Sequence, residues 1–182
     1  DLFPLIVDAP DWAHIEAGVQ QRMQLLEAVM ADVYGPQQLL QRGLLPPALV
    51  HGHPGYLRPM AGVQPVGGVH LHVAAFDLAR GPDGNWWVVS QRCQAPSGLG
   101  SLLENRLAVS RQFPQAFQAL KVQRLASTYR ALMDSLKNAS PAGAQAHIAL
   151  LTPGPYNETY FEHAYLARYL GLSLVEGSDL LV

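Results

Sequence analysis

Cysteine is almost absent: Cys93 stands alone in 182 residues. A single thiol closes no internal disulfide and builds no paired-cysteine metal site, which predicts a cytoplasmic protein. Charge is scarce as well. Only 14% of the residues are charged, against a usual share of about 25%. That excludes an acidic or basic disordered chain. Lys and Arg number 12 against 14 Asp and Glu. With no basic excess to hold a phosphate backbone, nucleic acid is excluded as a partner. No apolar run approaches the roughly 20 residues of a membrane span, so no membrane association is expected. The start, DLFPLIVDAPDW, lacks the basic region that precedes a signal peptide's apolar stretch. What is present is 49% hydrophobic residues, 16 Gly and 14 Pro. That composition suits a globular domain, or one domain and part of a second. Position 1 is Asp, and the ending LVEGSDLLV is apolar and strand-like. An apolar strand needs neighbours to bury it, so the chain is expected to be a piece of a longer polypeptide.

Residues 11–31 read as a helix with Asp11 as N-cap. Trp12, Ile15, Val19, Met23, Leu26 and Met30 recur at spacings of three and four, and Gly35-Pro36 stops the pattern. A short helix over 36–42 follows, with Pro36 in its first turn and Gly43 as its C-cap. Residues 44–68 are rich in Pro and Gly and read as an ordered, irregular connection. Residues 69–79 and 86–91 read as the two strands of a hairpin around the turn RGPDGN. A Gly/Ser/Pro loop, 94–101, leads into a helix that breaks near Pro114, because proline lacks the amide proton a helix interior needs. A further helix covers 122–137, with Leu125, Tyr129, Leu132, Met133 and Leu136 on one face. HIALLTPG, NETYFEHAYLARYLG and SLVEGSDLLV then read as strand, helix and strand, a βαβ unit with parallel strands. The fold class is α/β (or α+β). Three segments follow: a helical N-terminal region and connection at 1–68, a hairpin lobe with Gly-rich loop and helices at 69–140, and the βαβ unit at 141–182.

Several positions could carry chemistry. The loop Gln91-Arg92-Cys93-Gln94-Ala95-Pro96-Ser97-Gly98-Leu99-Gly100-Ser101 offers free backbone N–H groups, hydroxyls and a guanidinium, a set that suits phosphate. Its spacing is not that of a P-loop, and on composition alone a plain turn into a helix is the simpler reading. Asp77 interrupts an apolar strand. It either faces a cation together with Gln91 of the partner strand or pairs with Arg80 or Arg92. Glu104-Asn105-Arg106 opens the next helix, where the helix dipole alone accounts for Glu104. The turn Thr152-Pro153-Gly154-Pro155-Tyr156-Asn157-Glu158-Thr159 lies at a strand's carboxyl end, where open α/β sheets bind ligands. Asn157 or Thr159 also suits an N-cap. Glu162 and His163 lie one turn into the helix, and Glu176-Gly177-Ser178-Asp179 ends the next strand. His70 and His72 alternate on the first hairpin strand, but no further ligand stands at zinc spacing.

Two long stretches, GPDGNWWVVSQRCQAPSGLGSLLENRLAVSR and LLTPGPYNETYFEHAYLARYLGLSLVEGSDL, together with GVQQRMQLLEAVMADVYGPQQLLQRGLLPPALV, resemble the circularly permuted ATP-grasp family, in its glutathionylspermidine synthase-like branch. The resemblance runs over about residues 10–182 and marks the chain as an N-terminal portion of such a protein. It implies an ATP- and Mg²⁺-dependent ligase that makes an amide or peptide bond through an acyl phosphate. It implies Asp77 on the metal, with Gln91, Arg92, Ser97, Gly98 and Gly100 toward the nucleotide. Arg92, Glu104, Asn105 and Arg106 become catalytic candidates. A Rossmann-like pre-ATP-grasp subdomain would hold a small-molecule or peptide substrate with Thr152, Gly154, Asn157, Thr159, Glu162, His163, Glu176 and Asp179. An alpha-E domain is implied as a partner or fusion.

The sequence departs from the family pattern. Gln91 stands where relatives carry Asp, Cys93 where Thr is usual, and Ser101 where Tyr is usual. Members also run well beyond the last strand here, so the chain alone is expected to be inactive. The alternatives are a non-catalytic binding or scaffold module that keeps the fold, and a hydrolase using Ser97 or Cys93.

Overall fold

The computed structural model describes residues 4–181, so Asp1 and Val182, on which the reading of the chain ends draws, lie outside the described residues. The chain forms two compact units, Asp1–Pro96 and Ser97–Val182. The boundary falls inside the Gly/Ser/Pro loop, whereas the segments drawn at 68 and 140 follow changes of sequence style.

The first unit begins with helix α1, Ala9–Tyr34. Its N-cap is Asp8 rather than Asp11: the Asp8 carboxylate accepts the Asp11 N–H at 2.8 Å. Pro10 fits the first turn, where no intrahelical donor is needed. Gly35 ends the helix as expected. Asp32 reaches past this end and accepts the Gln38 and Leu39 N–H groups at 2.8 and 2.9 Å. It thereby caps α2, Gln38–Gln41. The Pro/Gly-rich connection is less irregular than expected, since it contains α3, Pro47–His51, and two short 3₁₀ turns.

The hairpin pairs β1, Ala75–Arg80, with β2, Trp86–Arg92, antiparallel. Gly84 takes the left-handed φ of 80° that closes the turn. Asp77 faces Ser90 and Leu78 faces Val88, which leaves Val89 as an unpaired bulge residue. Strand β1 starts six residues later than expected, and His70 and His72 are not on it. Glu27 of α1 holds the beginning of this segment instead. Its carboxylate accepts the His70 N–H at 3.0 Å and the Leu71 N–H at 2.8 Å, and lies 3.0 Å from His70 Nδ1. Amides held by a carboxylate are not free to join a strand ladder.

The second unit contains α4, Leu99–Gln112; α5, Pro114–Ala119; and α6, Ala126–Asn138. The break at Pro114 is as expected. Helix α6 starts at Ala126 rather than 122 and buries Tyr129 on the expected face. Strand β3, Ala149–Leu151, helix α7, Tyr160–Leu170, and strand β4, Ser173–Val175, follow. β3 and β4 pair in parallel across α7, so the βαβ unit is present and the fold is α/β (or α+β). Gly171, with φ of 70°, ends α7. Leu103, Tyr129 and Leu166 form the core, with Leu99, Leu125, Leu150, Tyr165 and Leu170 packed on it. Among the described residues no helix is long and apolar enough to cross a membrane.

Burial pushes the Glu27 carboxyl upward, but hydrogen bonds from His70 and Leu71 outweigh it and hold the group below its usual range. Its stabilisation is therefore complete above the unfolded value of 4.5 and fades as pH falls through the folded one. Glu27→Gln is expected to cost about 1–3 kcal/mol at neutral pH. The gap to the parent protein should narrow in acid when urea midpoints are compared across pH.

Candidate functional site

In the first unit the candidates lie on the hairpin. The guanidinium of Arg92 grips the Asp77 carboxylate with two hydrogen bonds of 3.0 Å. This is one of the two ion pairs considered for Asp77. Both side chains are about half exposed, 54% and 45%, so the pair contributes at most about 1 kcal/mol. Gln91 lies directly opposite Phe76 and Asp77 opposite Ser90. Side chains alternate across a strand, so Gln91 and Asp77 lie on opposite faces. The expectation that they meet one ligand is corrected by this register. Gln91 instead accepts from Arg22 of α1 at 3.4 Å, a partner that no local spacing announces. Among the described residues no group of three or more His, Cys, Asp or Glu could hold a metal ion.

In the second unit the Gly-rich loop turns into α4 at Gly98, whose φ of 122° suits only glycine. The start of α4 presents donors to an anion, as anticipated, but the anion is a side chain of the same unit. Glu162 of α7 accepts the Gly98 N–H, and its other oxygen accepts from Ser101 Oγ at 3.3 Å. A carboxylate there satisfies an orphan amide and complements the helix dipole. Gly100 is buried beneath it. A Cβ at that position would lie 2.5 Å from the Glu162 carbonyl oxygen, so the two helices can approach only because residue 100 has no side chain. Ser97 is exposed.

Glu104, Asn105 and Arg106 do not converge, because consecutive helical residues point about 100° apart. Glu104 lies beside Tyr165 and pushes its hydroxyl pKa up. Asn105 is exposed. Arg106 reaches the Gln123 carbonyl at 3.3 Å and sits 5.7 Å over the Phe117 ring.

The carboxyl ends of β3 and β4 bring together four of the expected residues. Thr152, only 2% exposed, lies with Oγ1 3.1 Å from His163 Nδ1, and the Gly154 N–H donates to the same oxygen at 3.4 Å. The Glu176 carboxylate stands 3.4 Å from where a Cβ of Gly154 would be. The rest of the set serves local turns. Asn157 Oδ1 accepts the Thr159 N–H at 2.9 Å and its hydroxyl at 2.6 Å. Asp179 accepts the Glu176 N–H at 2.8 Å in a capping box. Among the described residues neither Ser97 Oγ nor Cys93 Sγ is hydrogen-bonded to a histidine.

Gly100→Ala is expected to destabilise the protein by about 1–3 kcal/mol through overpacking. Glu162→Ala should cost about 1 kcal/mol through loss of the cap. Combined, the two should cost less than their sum, since both loosen one contact between α4 and α7. Urea denaturation of the two single variants and the double variant measures this.

The chain resembles known bacterial proteins along its whole length. An uncharacterized protein of Synechocystis sp., sll0335, is 37% identical over 183 residues, covering 100% of this chain and 38% of its own length. Uncharacterized protein Rv2567 of Mycobacterium tuberculosis is 42% identical over 183 residues, covering 100% of this chain and 21% of its own. Uncharacterized protein Rv2411c of the same organism is 38% identical over 181 residues, covering 99% and 33%. The chain thus spans about a fifth to two fifths of the length of these relatives. The sequence model for circularly permuted ATP-grasp type 2 proteins matches residues 4–182, and names no glutathionylspermidine synthase-like branch. The chain belongs to the circularly permuted ATP-grasp type 2 family.

Proposed function

We propose that this chain is part of an ATP-dependent ligase that joins a carboxylate to an amine, and that residues 1–182 do not catalyse the reaction alone. The observation that carries this reading is the family match over residues 4–182. Its restriction to the longer polypeptide rests on the relatives, of whose length this chain covers a fifth to two fifths.

ATP with Mg²⁺ is the cofactor pair expected of the family, but the described residues do not make a site for it by themselves. Both oxygens of Asp77 are held by Arg92. The Gly98 amide is held by Glu162. No three-ligand acidic or histidine cluster is present among the described residues. In this reading the remaining nucleotide and metal ligands come from outside residues 1–182. A small molecule or peptide is the substrate, held beside Thr152, Gly154, His163 and Glu176. An alpha-E domain as partner or fusion, and a cytoplasmic location, belong to the same proposal.

A non-catalytic module that retains the fold is the second reading. The neutral Gln91, engaged with Arg22, favours it. Calorimetry with ATP and Mg²⁺ separates the two. The full-length protein is expected to bind, to release phosphate only in the presence of an acceptor amine, and to lose about tenfold or more in kcat/KM on Arg92→Ala. Residues 1–182 alone are expected to be silent. Turnover without ATP would overturn the ligase reading. Silence from the full-length protein would favour the module.

A further inference from the structure

The parallel pair β3–β4 is covered on one face only. Leu150 packs against the Leu103, Tyr129 and Leu166 core and lies opposite Leu174. Alternation then sets Ala149, Leu151, Ser173 and Val175 on the other face. That face is open. Ala149 and Ser173 are exposed, Val175 is only partly buried, and the Leu151 side chain is 56% exposed. Beyond β4, Leu180 and Leu181 are 52% and 97% exposed.

Parallel strands occur almost only where both faces are buried, and two strands alone are at best marginally stable in water. The wider balance agrees. The chain exposes 13521 Å². A compact protein of its mass would expose about 8,600 Å², and even two separate domains of half that mass about 10,400 Å².

We propose that the open face of β3–β4 is a docking surface for a helix contributed by the same full-length polypeptide from outside residues 1–182. The layer rule for parallel sheets names a helix as the cover, since crossover helices pack on both faces. The size of the face names the source. It is two strands wide and three residues long, far short of the roughly 20–30 residues a side that a stable association of separate chains buries. So small a surface holds its occupant through covalent linkage and the high effective concentration linkage gives. The relatives carry that extra length, the matched region being 21% to 38% of them. This inference rests on the sheet and on the relatives' length, and stands whether or not the protein is a ligase.

The test uses the full-length protein carrying Leu151→Cys, reacted with N-ethylmaleimide and read by peptide mass spectrometry. The same peptide in denaturant sets the reference rate. Labelling of the native protein is expected to be at least tenfold slower than in denaturant and unchanged on dilution. A photo-crosslinker attached at position 151 should join peptides outside 1–182. Ala149→Cys, a small-for-small exchange on the same face, should repeat the result if the first variant does not fold. Labelling within tenfold of the denatured rate would overturn the proposal. So would protection that disappears on dilution, which marks a second copy, or crosslinks confined to residues 1–182. None of these readouts involves ATP, so failure of the ligase reading leaves the result intact.

Discussion

The second unit depends on how closely α7 can approach the first turn of α4. Three groups set that distance together. Gly100 removes the side chain that would collide with the Glu162 carbonyl. The Glu162 carboxylate ties down the Gly98 amide and the Ser101 hydroxyl. Tyr129, from α6, donates to the Leu99 carbonyl at 2.5 Å while its ring fills the core between Leu103 and Leu166. Burial, together with the nearby Tyr169 and Glu162, pushes the Tyr129 hydroxyl pKa up, so it stays a donor across the physiological range. With α4, α6 and α7 fixed in this way, Leu150 of β3 has a surface to pack on, and the βαβ unit can close.

In each unit a group suited to an incoming anion already holds one of the protein's own carboxylates. Arg92 holds Asp77, and the start of α4 holds Glu162. Both pairings follow from the cost of leaving a charge or an amide without a partner. They also explain why residue types alone overstate what a Gly-rich loop can do. The types report which group is available. Only the fold reports which neighbour has taken it.

What the sequence revealed follows the range of each signal. Local chemistry was legible. Gly35-Pro36 ended α1, Pro114 split α4 from α5, and the alternation of strand and helix after residue 146 marked the parallel pair. Tyr129 and its neighbours on α6 were legible from spacing alone. Long-range pairings were not. Glu27 lies 43 residues from His70, yet it holds the His70 and Leu71 amides outside the hairpin ladder. Arg22 lies 69 residues from Gln91 and donates to its side-chain oxygen. Within the candidate set, Thr152, Gly154, His163 and Glu176 were legible because strand ends gather polar groups in any such fold. Glu104, Asn105 and Arg106 point in different directions, since adjacency in sequence is divergence on a helix.

The bulge at Val89 bears on more than the local geometry of the hairpin. Below it, Trp86 and Val88 share a face with Gln91, not with Ser90 and Arg92, because one residue is skipped in the pairing. The extra residue is a change of phase between the two halves of β2. Excising it would make Val88 and Ser90 consecutive opposite Leu78 and Asp77, a regular ladder in which Arg92 stays on the face of Asp77 and the local bend and extra twist of the bulge are lost. The bulge therefore lets β2 carry one residue more than β1 while each half of the hairpin keeps its own pairing, and Arg92 its place beside Asp77.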